Sequence, residues 1–491
     1  MGLGDALASA GRGGEAARAY LDAKPMLDAS RGLELERRAG QQYLISGRIQ
    51  EGLEVMGRVL AKAGLPPLAP TPRRALLALI MRRLRVLLRG LAYTERPASA
   101  IPADTLTRID SCWAVAEGLT MVDNIQGAAF QTLHLLLALD AGEITRVGRA
   151  LAMEGGILAT TGARDRSARL LQEAERLVDR PDCRAALGLC RTSRLVAALH
   201  LGQFEEADRL AREAEAILTE QQGLSAWPLN IARVYHISVL ANQGKIAELC
   251  RVNRIWLDDV VDRGNRFTAT MLRTGWSTLR WLGDDDLPGA RAALAEALEQ
   301  CPKGVFYVPH LYCVLAEGFV GLYGGEPEEA YRRITRVWPM IEWSQLLRMH
   351  ALTVLACRMR AACAIAAAQV AADPKPLLAR AERDARRMER SNYSVIWTKD
   401  WPQMIRAQVA VARGDRARAL AHLDRALEGF RERGAAFFLA IAGRKKGELL
   451  GGDEGRALIA AADAWMASEG IVNPARLAAA FVPGFPSGGL P

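Results

Sequence analysis

A pattern of small residues recurs along this chain and constrains its fold more than any other feature. The pattern reads "GRIQEGLEVMGRVL" from residue 47, "GQFEEADRLAREAEAIL" from 202 and "GDRARALAHLDRAL" from 414. In each copy a glycine is followed five residues later by glycine or alanine, and twelve residues later by valine or alanine. From Gly202 onward, successive copies begin after 42, 41, 40, 48, 41 and 38 residues. A near-constant step of this length predicts a linear array of similar structural units.

Each position of the pattern has a physical reason in a helix-turn-helix unit. The glycine ends the first helix in a left-handed turn that other residues resist. The small residues let the second helix approach the first, so Gly40 is expected to face Gly52. Gly318 is expected to face Ala330 in the same way. The residues assigned to turn and packing positions are Gly47, Gly52, Gly202, Ala207, Ala214, Gly325, Ala330, Gly414, Ala419 and Ala426.

Helical periodicity extends over almost the whole chain. The segment "ARLLQEAERLVDR" places Leu170, Leu171 and Ala174 at helical spacing, and no convincing run of alternating β-branched residues occurs. The predicted fold is therefore all-α, a right-handed α-solenoid of helix-turn-helix repeats with a period of about 40 residues. The pattern resembles the tetratricopeptide repeat (TPR), which has a turn glycine and two alanines at these offsets. Because that repeat is about 34 residues long, the units here are described as TPR-like.

Breaks in the pattern divide the chain into four regions. Residues 1–65 are predicted to form N-terminal TPR-like repeats, and residues 142–480 the main repeat array. Residues 66–141 interrupt the array as an insertion, made of a proline-rich link and a basic amphipathic helix. Residues 481–491 are rich in glycine and proline and are predicted to be a disordered tail.

The most unusual local sequence is "RRALLALIMRRLRVLLRGL", residues 73–91, whose helix should be capped by Thr71. Arg82, Arg85 and Arg89 fall on one face of this helix, and apolar residues cover the rest. Two interpretations stay open. Either the helix is buried around most of its circumference and its arginines reach water, or its arginines bind an anionic partner, a membrane surface or nucleic acid. These three arginines are the predicted partner-binding residues.

Composition and motif searches favour a protein without catalytic chemistry. The net charge of +9, from 64 basic and 55 acidic residues, is modest for a nucleic-acid binder. The eight cysteines form no C-x-x-C pair and are expected to be small buried residues in a reducing compartment. No P-loop, kinase, zinc-protease or serine-hydrolase motif is present. We therefore predict no enzyme activity, metal or cofactor, and Asp286 or its neighbour in "GDDDLPGARAAL" is expected to cap a helix.

Targeting signals and membrane segments are not evident in the sequence. Residues 1–25 lack the apolar run of a signal peptide, and no stretch of about twenty apolar residues occurs. We therefore expect a cytoplasmic protein with no membrane span. Nucleic acid is a disfavoured partner, because Tyr93 is the single aromatic residue near the arginine-rich helix.

Stretches near both ends of the chain resemble a known class of protein. "AGRGGEAARAYLDAK" near the start, "PTPRRALLALIMRRLRVLLRGL" after the proline-rich link and "NPARLAAAFVPGF" near the end are similar to parts of the C-terminal helical region of large bacterial signalling proteins. In those proteins a serine/threonine protein kinase domain and an AAA-type ATPase module precede TPR-like repeats. The resemblance covers essentially the whole chain and implies a non-catalytic scaffold in signal transduction, which binds a protein or peptide and associates with kinase or ATPase domains. The alternative is a helical domain that senses a small-molecule effector. Because kinase and P-loop motifs are absent, neither catalytic activity is carried over.

Overall fold

The chain forms helices throughout the part that the structure describes. The computed structural model describes residues 2–120, 123–220, 226–301, 306–390 and 399–486. The structure is 82% helical, and the described ranges contain no β-strand, so the prediction of an all-α fold is confirmed. In chain order the α-helices are α1 (Gly2–Ser9), α2 (Gly13–Ala23), α3 (Ala29–Ile45), α4 (Ile49–Lys62), α5 (Pro72–Arg89), α6 (Ala103–Leu119), α7 (Asn124–Ala141), α8 (Ile144–Thr160), α9 (Arg164–Val178), α10 (Leu187–His200), α11 (Phe204–Glu220), α12 (Trp227–Gln243), α13 (Ile246–Asp262), α14 (Arg266–Arg273), α15 (Leu279–Gly283), α16 (Leu287–Gln300), α17 (Val308–Tyr323), α18 (Pro327–Trp343), α19 (His350–Ala368), α20 (Lys375–Arg390), α21 (Trp401–Ala412), α22 (Arg416–Glu432), α23 (Ala436–Leu450), α24 (Gly452–Ser468) and α25 (Pro474–Phe481).

Consecutive helices pack side by side as hairpins. Helix α8 packs against α9, α10 against α11, α19 against α20, and α21 against α22. The first helices also contact each other across hairpins, since α10 touches both α8 and α12, and α19 touches both α17 and α21. From α8 to α21 the first helices form a layer in which each contacts the next, and this is consistent with an α-solenoid.

The predicted insertion at residues 66–141 is shorter than the sequence suggested. Helices α6 and α7 pack against each other as a hairpin, and they contact α3 on one side and α8 on the other. They therefore belong to the array, although their sequence lacks the glycine pattern. The part that interrupts the array is limited to the proline-rich link, α5 and the segment before Ala103.

Residues with a left-handed backbone conformation form the turns of several hairpins, as the sequence pattern requires. Gly47 has a φ angle of 86° and Gly414 one of 76°, a region that residues with a Cβ enter at a cost. The turn glycines Gly202 and Gly325 have φ angles of 73° and 76°. Asp285 takes the place of glycine in one repeat and has a φ angle of 56°, which the short side chain of aspartate tolerates.

Small residues lie in the interfaces between paired helices. The alanines assigned to packing positions are all buried, with Ala207, Ala214, Ala419 and Ala426 at 0% exposure and Ala330 at 3%. The paired helix backbones can approach closely at these positions because an alanine contributes only a methyl group to the interface.

The partners of the small residues in the first hairpin differ from the expected ones. A Cβ atom on Gly40 would lie 2.6 Å from Sδ of Met56, and one on Gly52 would lie 2.6 Å from Cδ2 of Leu44. The expectation that Gly40 faces Gly52 is therefore wrong. The true partner of Gly40 is four residues further along α4, about one helical turn, because the chain reverses later than the glycine spacing alone implies.

The partners in the hairpin of α17 and α18 also differ from the expected ones. A Cβ atom on Gly318 would clash with the thioether of Met359, on the next hairpin. Ala330 instead faces Gly321, where an added Cβ would lie 3.0 Å from the Cβ of Ala330. The expectation that Gly318 faces Ala330 is wrong, since Gly318 makes room for a neighbouring repeat and not for its own second helix.

Segments that are far apart in the sequence contact one another, so the array curls back on itself. The backbone N–H of Arg266 donates a hydrogen bond to the carbonyl oxygen of Ser46 at 3.1 Å. The backbone N–H of Val472 donates in the same way to Gly283 at 2.8 Å. Such contacts between distant repeats enclose space that no single hairpin could enclose.

Helix α19 is buried along almost its whole length. Among the described residues it is the one helix that is long and apolar enough to cross a membrane, and 94% of its apolar window is buried inside the protein, as in a core helix. It carries two buried arginines. Arg360 donates from Nε to Asp384 at 2.8 Å, and the guanidinium of Arg358 lies 4.3 Å from the centre of the Trp401 ring.

The end of the described chain is packed into the core and does not form the predicted disordered tail. Phe481 closes α25 and stacks on Phe319, with ring centres 4.5 Å apart. Phe485 is buried as well. The prediction of disorder is wrong for residues 481–486 because these apolar side chains find partners in distant helices, which composition cannot reveal. Residues 487–491 lie outside the described residues.

Candidate functional site

Helix α5 begins and ends at the residues that its sequence predicts. The Thr71 hydroxyl accepts a hydrogen bond from the backbone N–H of Arg74 at 3.4 Å, and Pro72 occupies the first position. Gly90 ends the helix with a φ angle of 75°. The main neighbour of α5 is α7, and a helix that packs on one neighbour leaves much of its circumference available.

The arginine side of α5 faces α7. Nη1 of Arg82 donates a hydrogen bond to the carbonyl oxygen of Ala129 at 2.7 Å, and its guanidinium lies 5.2 Å from the centre of the Phe130 ring. Burial of this guanidinium lowers the pKa of Arg82. Nε of Arg89 donates to Asp140 at 2.7 Å. Two of the three predicted partner-binding arginines are therefore paired with groups of α7, Arg82 in a partly buried contact and Arg89 at the surface.

The apolar side of α5 faces solvent. Its large apolar residues recur at positions i, i+3, i+4, i+7, i+10 and i+11, which is one face of a helix. The interpretation that this helix is buried around most of its circumference is therefore wrong, and of the three predicted arginines only Arg85 is exposed on the helix surface. The outward residues are Leu77, Ile80, Met81, Leu84, Leu87 and Leu88, each between 51% and 80% exposed.

A cavity of about 360 Å³ lies next to this exposed face. It is bounded by α5, α7, α8, α10, α12 and the turn that follows α18, so it forms where the curled array brings distant segments together. Its volume falls within the range of small-molecule sites, and most of its wall is apolar. The apolar and aromatic lining residues are Leu76, Leu79, Ile80, Ile125, Ala128, Met153, Ile157, Leu189, Val196, Trp227, Ile231, Tyr235, Phe306, Tyr307, Trp343, Leu346 and Met349.

The opening of the cavity lies between α5 and the turn after α18. Ile80 and Trp343 both line the cavity and are both more than half exposed, so they mark its edge. Gln345 also lines it and has a φ angle of 63°, which is an uncommon conformation for a residue with a side chain. Backbone strain of this kind is often found at functional sites.

One arginine of α5 points to the cavity and not to α7. Nε of Arg83 lies 3.5 Å from Oε1 of Glu154, and its Nε and Nη2 atoms are buried without a hydrogen-bond partner among the described residues. Burial raises the pKa of Glu154, which favours its neutral form. The Arg83 side chain is 21% exposed, so Arg83 is a partly buried cation whose neighbouring carboxyl is a weak counterion.

Two other polar groups of the lining, the Asp123 carboxylate and the side-chain nitrogen of Asn124, have structural partners, whereas Oδ1 of Asn124 is buried without a hydrogen-bond partner among the described residues. Asp123 caps α7 by accepting a hydrogen bond from the backbone N–H of Gln126 at 3.1 Å, and burial raises the pKa of Asp123. The Asn124 side-chain amide donates to Sδ of Met349 at 2.7 Å. This contact ties the start of α7 to the turn after α18 and so holds the two walls of the cavity together.

The predicted cysteine and acidic features have structural roles in the described residues. Six of the eight cysteines are buried. The sulfur atom of the half-buried Cys301 lies 3.6 Å from that of the buried Cys313. Asp286 accepts a hydrogen bond from the backbone N–H of Gly289 at 2.8 Å, which confirms it as a helix cap. The described ranges contain no group of three or more histidine, cysteine or acidic residues placed to hold a metal.

No family model matches this chain, and no curated protein is similar to it in sequence. The site is therefore defined by geometry alone. None of the assigned turn and packing residues lines the cavity, and neither do Arg82, Arg85 and Arg89. The sequence identified α5 as unusual but did not identify Arg83 as the arginine that lines the cavity. The position of Arg83 depends on which face of α5 packs against α7, and the composition of the helix does not determine that face.

Proposed function

We propose that this chain is a non-catalytic interaction scaffold, and that it binds a protein partner through the apolar face of α5. The observation that carries the proposal is the exposure of six large apolar side chains on one helix. Soluble monomers rarely expose contiguous apolar patches above a few hundred Å² unless these bind something. Their spacing along one helix face suits a partner helix that packs against it.

The charge of α5 favours an acidic partner. The helix contains six arginines and no acidic residue, and Arg73, Arg74 and Arg85 are exposed beside the apolar face. Pairing with a second copy of α5 would bring two such sets of arginines together, which like-charge repulsion disfavours. We therefore propose that the partner presents an amphipathic helix with apolar residues on one face and acidic residues beside them.

A labelled peptide of that composition tests the proposal by fluorescence anisotropy. The peptide carries leucines at i, i+3, i+4 and i+7 with glutamates elsewhere, and the control peptide has lysines in place of the glutamates. The acidic peptide should bind, and the double variant Leu84→Ser, Leu88→Ser should weaken binding at least about tenfold. Ile255→Ser, at an equally exposed apolar residue on α13, should not change it.

Three outcomes would contradict the proposal. Equal binding of the acidic and basic peptides would remove the charge argument. Stable dimers in sedimentation, abolished by the double variant at 84 and 88, would assign the face to a second copy. Binding of anionic phospholipid vesicles with no binding of the acidic peptide would assign it to a membrane surface.

The wider role that we propose follows the sequence resemblance. The helical hairpins are TPR-like repeats that hold α5 in place, and the scaffold works in the bacterial cytoplasm with the kinase and ATPase modules of a signalling protein. The hairpin turns at Gly202 and Gly414 support the repeat assignment. The rate of ATP hydrolysis by such an ATPase, measured with and without this chain, tests the association. An unchanged rate and no co-elution would count against it.

The second candidate function is the sensing of a small-molecule effector. The cavity beside α5 favours it, because its volume of about 360 Å³ and largely apolar wall are typical of ligand sites.

A further inference from the structure

We infer that the cavity between α5 and the turn after α18 binds an amphipathic monocarboxylate, with an apolar body in the cavity and the carboxylate on Arg83. This site lies on the side of α5 that adjoins the outward apolar face, and it goes beyond the proposed docking of a protein helix. It also gives the effector-sensing alternative a defined ligand class.

The shape and lining of the cavity favour a ligand whose main part is apolar. Aliphatic side chains from α5, α7, α8, α10 and α12 form its depth, and the aromatic residues Trp227, Tyr235 and Tyr307 extend that wall. An apolar ligand that displaces water from such a wall gains the hydrophobic free energy of the contact. An extended sugar or nucleotide would leave many polar groups unpaired there.

The polar end of the ligand is identified by Arg83. Its side chain lines the cavity and is 21% exposed, and its Nε and Nη2 atoms lack a hydrogen-bond partner among the described residues. A donor shielded from water is costly unless something accepts from it. A carboxylate matches the two-donor geometry of a guanidinium. Among the described residues Glu154 is the acidic side chain paired with Arg83, at a distance of 3.5 Å from Nε that is long for a hydrogen bond. Burial also raises the pKa of Glu154, so Arg83 has capacity for a second anion.

The alternative of a cationic ligand has less support. Asp123 is an acidic residue of the lining, but its carboxylate already caps α7 through the backbone N–H of Gln126. Burial raises the pKa of Asp123, which weakens it as a counterion. Arg348 also lines the cavity, at its exposed side, and adds a second positive charge near the opening.

A ligand in this position would contact two segments that meet at the opening. Leu76, Ile80 and Arg83 belong to α5. Trp343 is the last residue of α18, and Gln345 lies in the turn that follows it. A bound carboxylate would therefore hold α5 against the body of the array.

Isothermal titration calorimetry with three ligands of equal tail length tests the inference. Decanoate, decanol and decylamine are titrated below the concentrations at which they aggregate. Decanoate should bind with one-to-one stoichiometry and about tenfold more tightly than either of the others. Arg83→Gln should remove this preference and leave the affinity for decanol unchanged, whereas Arg83→Lys should retain part of it.

Two further variants define the location of binding. Ala128→Phe places a large side chain in the cavity and should abolish decanoate binding, with circular dichroism confirming that the variant is folded. Arg85→Gln removes an exposed arginine of the same helix and should have no effect. The double variant Leu84→Ser, Leu88→Ser should also leave decanoate binding intact, so failure of the docking proposal and failure of this one are distinguishable.

Several results would overturn the inference. These are equal affinity for the three head groups, no heat of binding for decanoate at millimolar concentration, and unchanged decanoate affinity in both Arg83→Gln and Ala128→Phe. Loss of decanoate binding in the double variant at 84 and 88, with retention in Ala128→Phe, would place the ligand on the outer face of α5 and would also overturn it.

Discussion

Nη1 of Arg82 lies 2.7 Å from the carbonyl oxygen of Ala129, and this hydrogen bond orients α5 on the molecule. It turns the arginine side of the helix toward α7 and leaves the leucine side in water. Burial of a guanidinium costs desolvation, and exposure of leucines loses hydrophobic free energy. Burial of Leu79 and Val86 on the inward side is favourable, so the main cost of this orientation is the exposed apolar face. That exposure is what we expect of a helix whose outer surface is used by another molecule.

Leucines on opposite sides of α5 should differ sharply in their contribution to stability. Leu79 is buried against α7 and the cavity wall, whereas Leu84 is 51% exposed. Leu79→Ala should lower the free energy of α5 opening by about 2 kcal/mol or more, and Leu84→Ala should change it by less than about 0.5 kcal/mol. Hydrogen exchange of the α5 amides measures both. Equal effects would mean that the orientation of α5 is wrong.

Two glycines of α4 should respond oppositely to alanine. A Cβ on Gly52 would lie 2.6 Å from Leu44, while one on Gly57 would meet no atom within 4 Å. Gly52→Ala should therefore destabilise the protein by about 1–3 kcal/mol through overpacking. Gly57→Ala should stabilise it by up to about 1 kcal/mol, because glycine is a poor helix former. Urea denaturation of the two variants tests the pair, and a stabilising Gly52→Ala would contradict the close approach of α3 and α4.

The alanine positions of the repeat pattern can be tested within one helix. Ala419 is fully buried in the interface of α21 and α22, and Ala417 is exposed two residues earlier. Ala419→Leu should cost about 1–3 kcal/mol because the paired helices must separate, whereas Ala417→Leu should be within about 0.5 kcal/mol of the parent. Thermal unfolding followed by circular dichroism compares them. Similar melting temperatures for both variants would show that the small residues are not packing positions.

Glu36 should make stability dependent on pH in the acid range. Its carboxylate is fully buried and contacts Lys24, Arg58 and Lys62 at 2.7–3.0 Å. Burial alone would raise its pKa, but the three cations outweigh burial and lower the pKa from 4.5 to about 2. Because the folded-state pKa is depressed, the stabilisation is complete above about pH 4.5 and is lost as the pH falls toward 2.

Glu36→Gln tests this expectation by urea denaturation at a series of pH values. The variant should lose about 3 kcal/mol near neutral pH, since it leaves buried cations without their counterion. The difference from the parent should shrink as the pH falls from 4.5 toward 2 and vanish below it. Glu205→Gln, at an exposed residue of α11, serves as the control and should show little difference at any pH. A constant loss across the range would mean that Glu36 acts by packing and not by charge.

Local features of this protein were predictable because they depend on neighbours in sequence. The left-handed glycines at 47 and 414, the cap of α5 at Thr71 and the burial of Ala207 all follow from helix geometry over a few residues. The all-α class follows for the same reason. The residue that contacts Gly40 could not be predicted from a few neighbouring residues, since it depends on where the chain reverses between two helices.

By itself, the sequence determined that this chain folds into helices, where most of those helices begin, and which small residues bring them together. Only the tertiary structure decided that α5 turns its leucines outward and Arg83 inward, that Phe485 is buried, and that the turn after α18 closes a cavity against α7. Periodicity identifies two faces of a helix but cannot assign one of them to the core, because that choice depends on the surfaces that distant repeats present when the array curls back on itself.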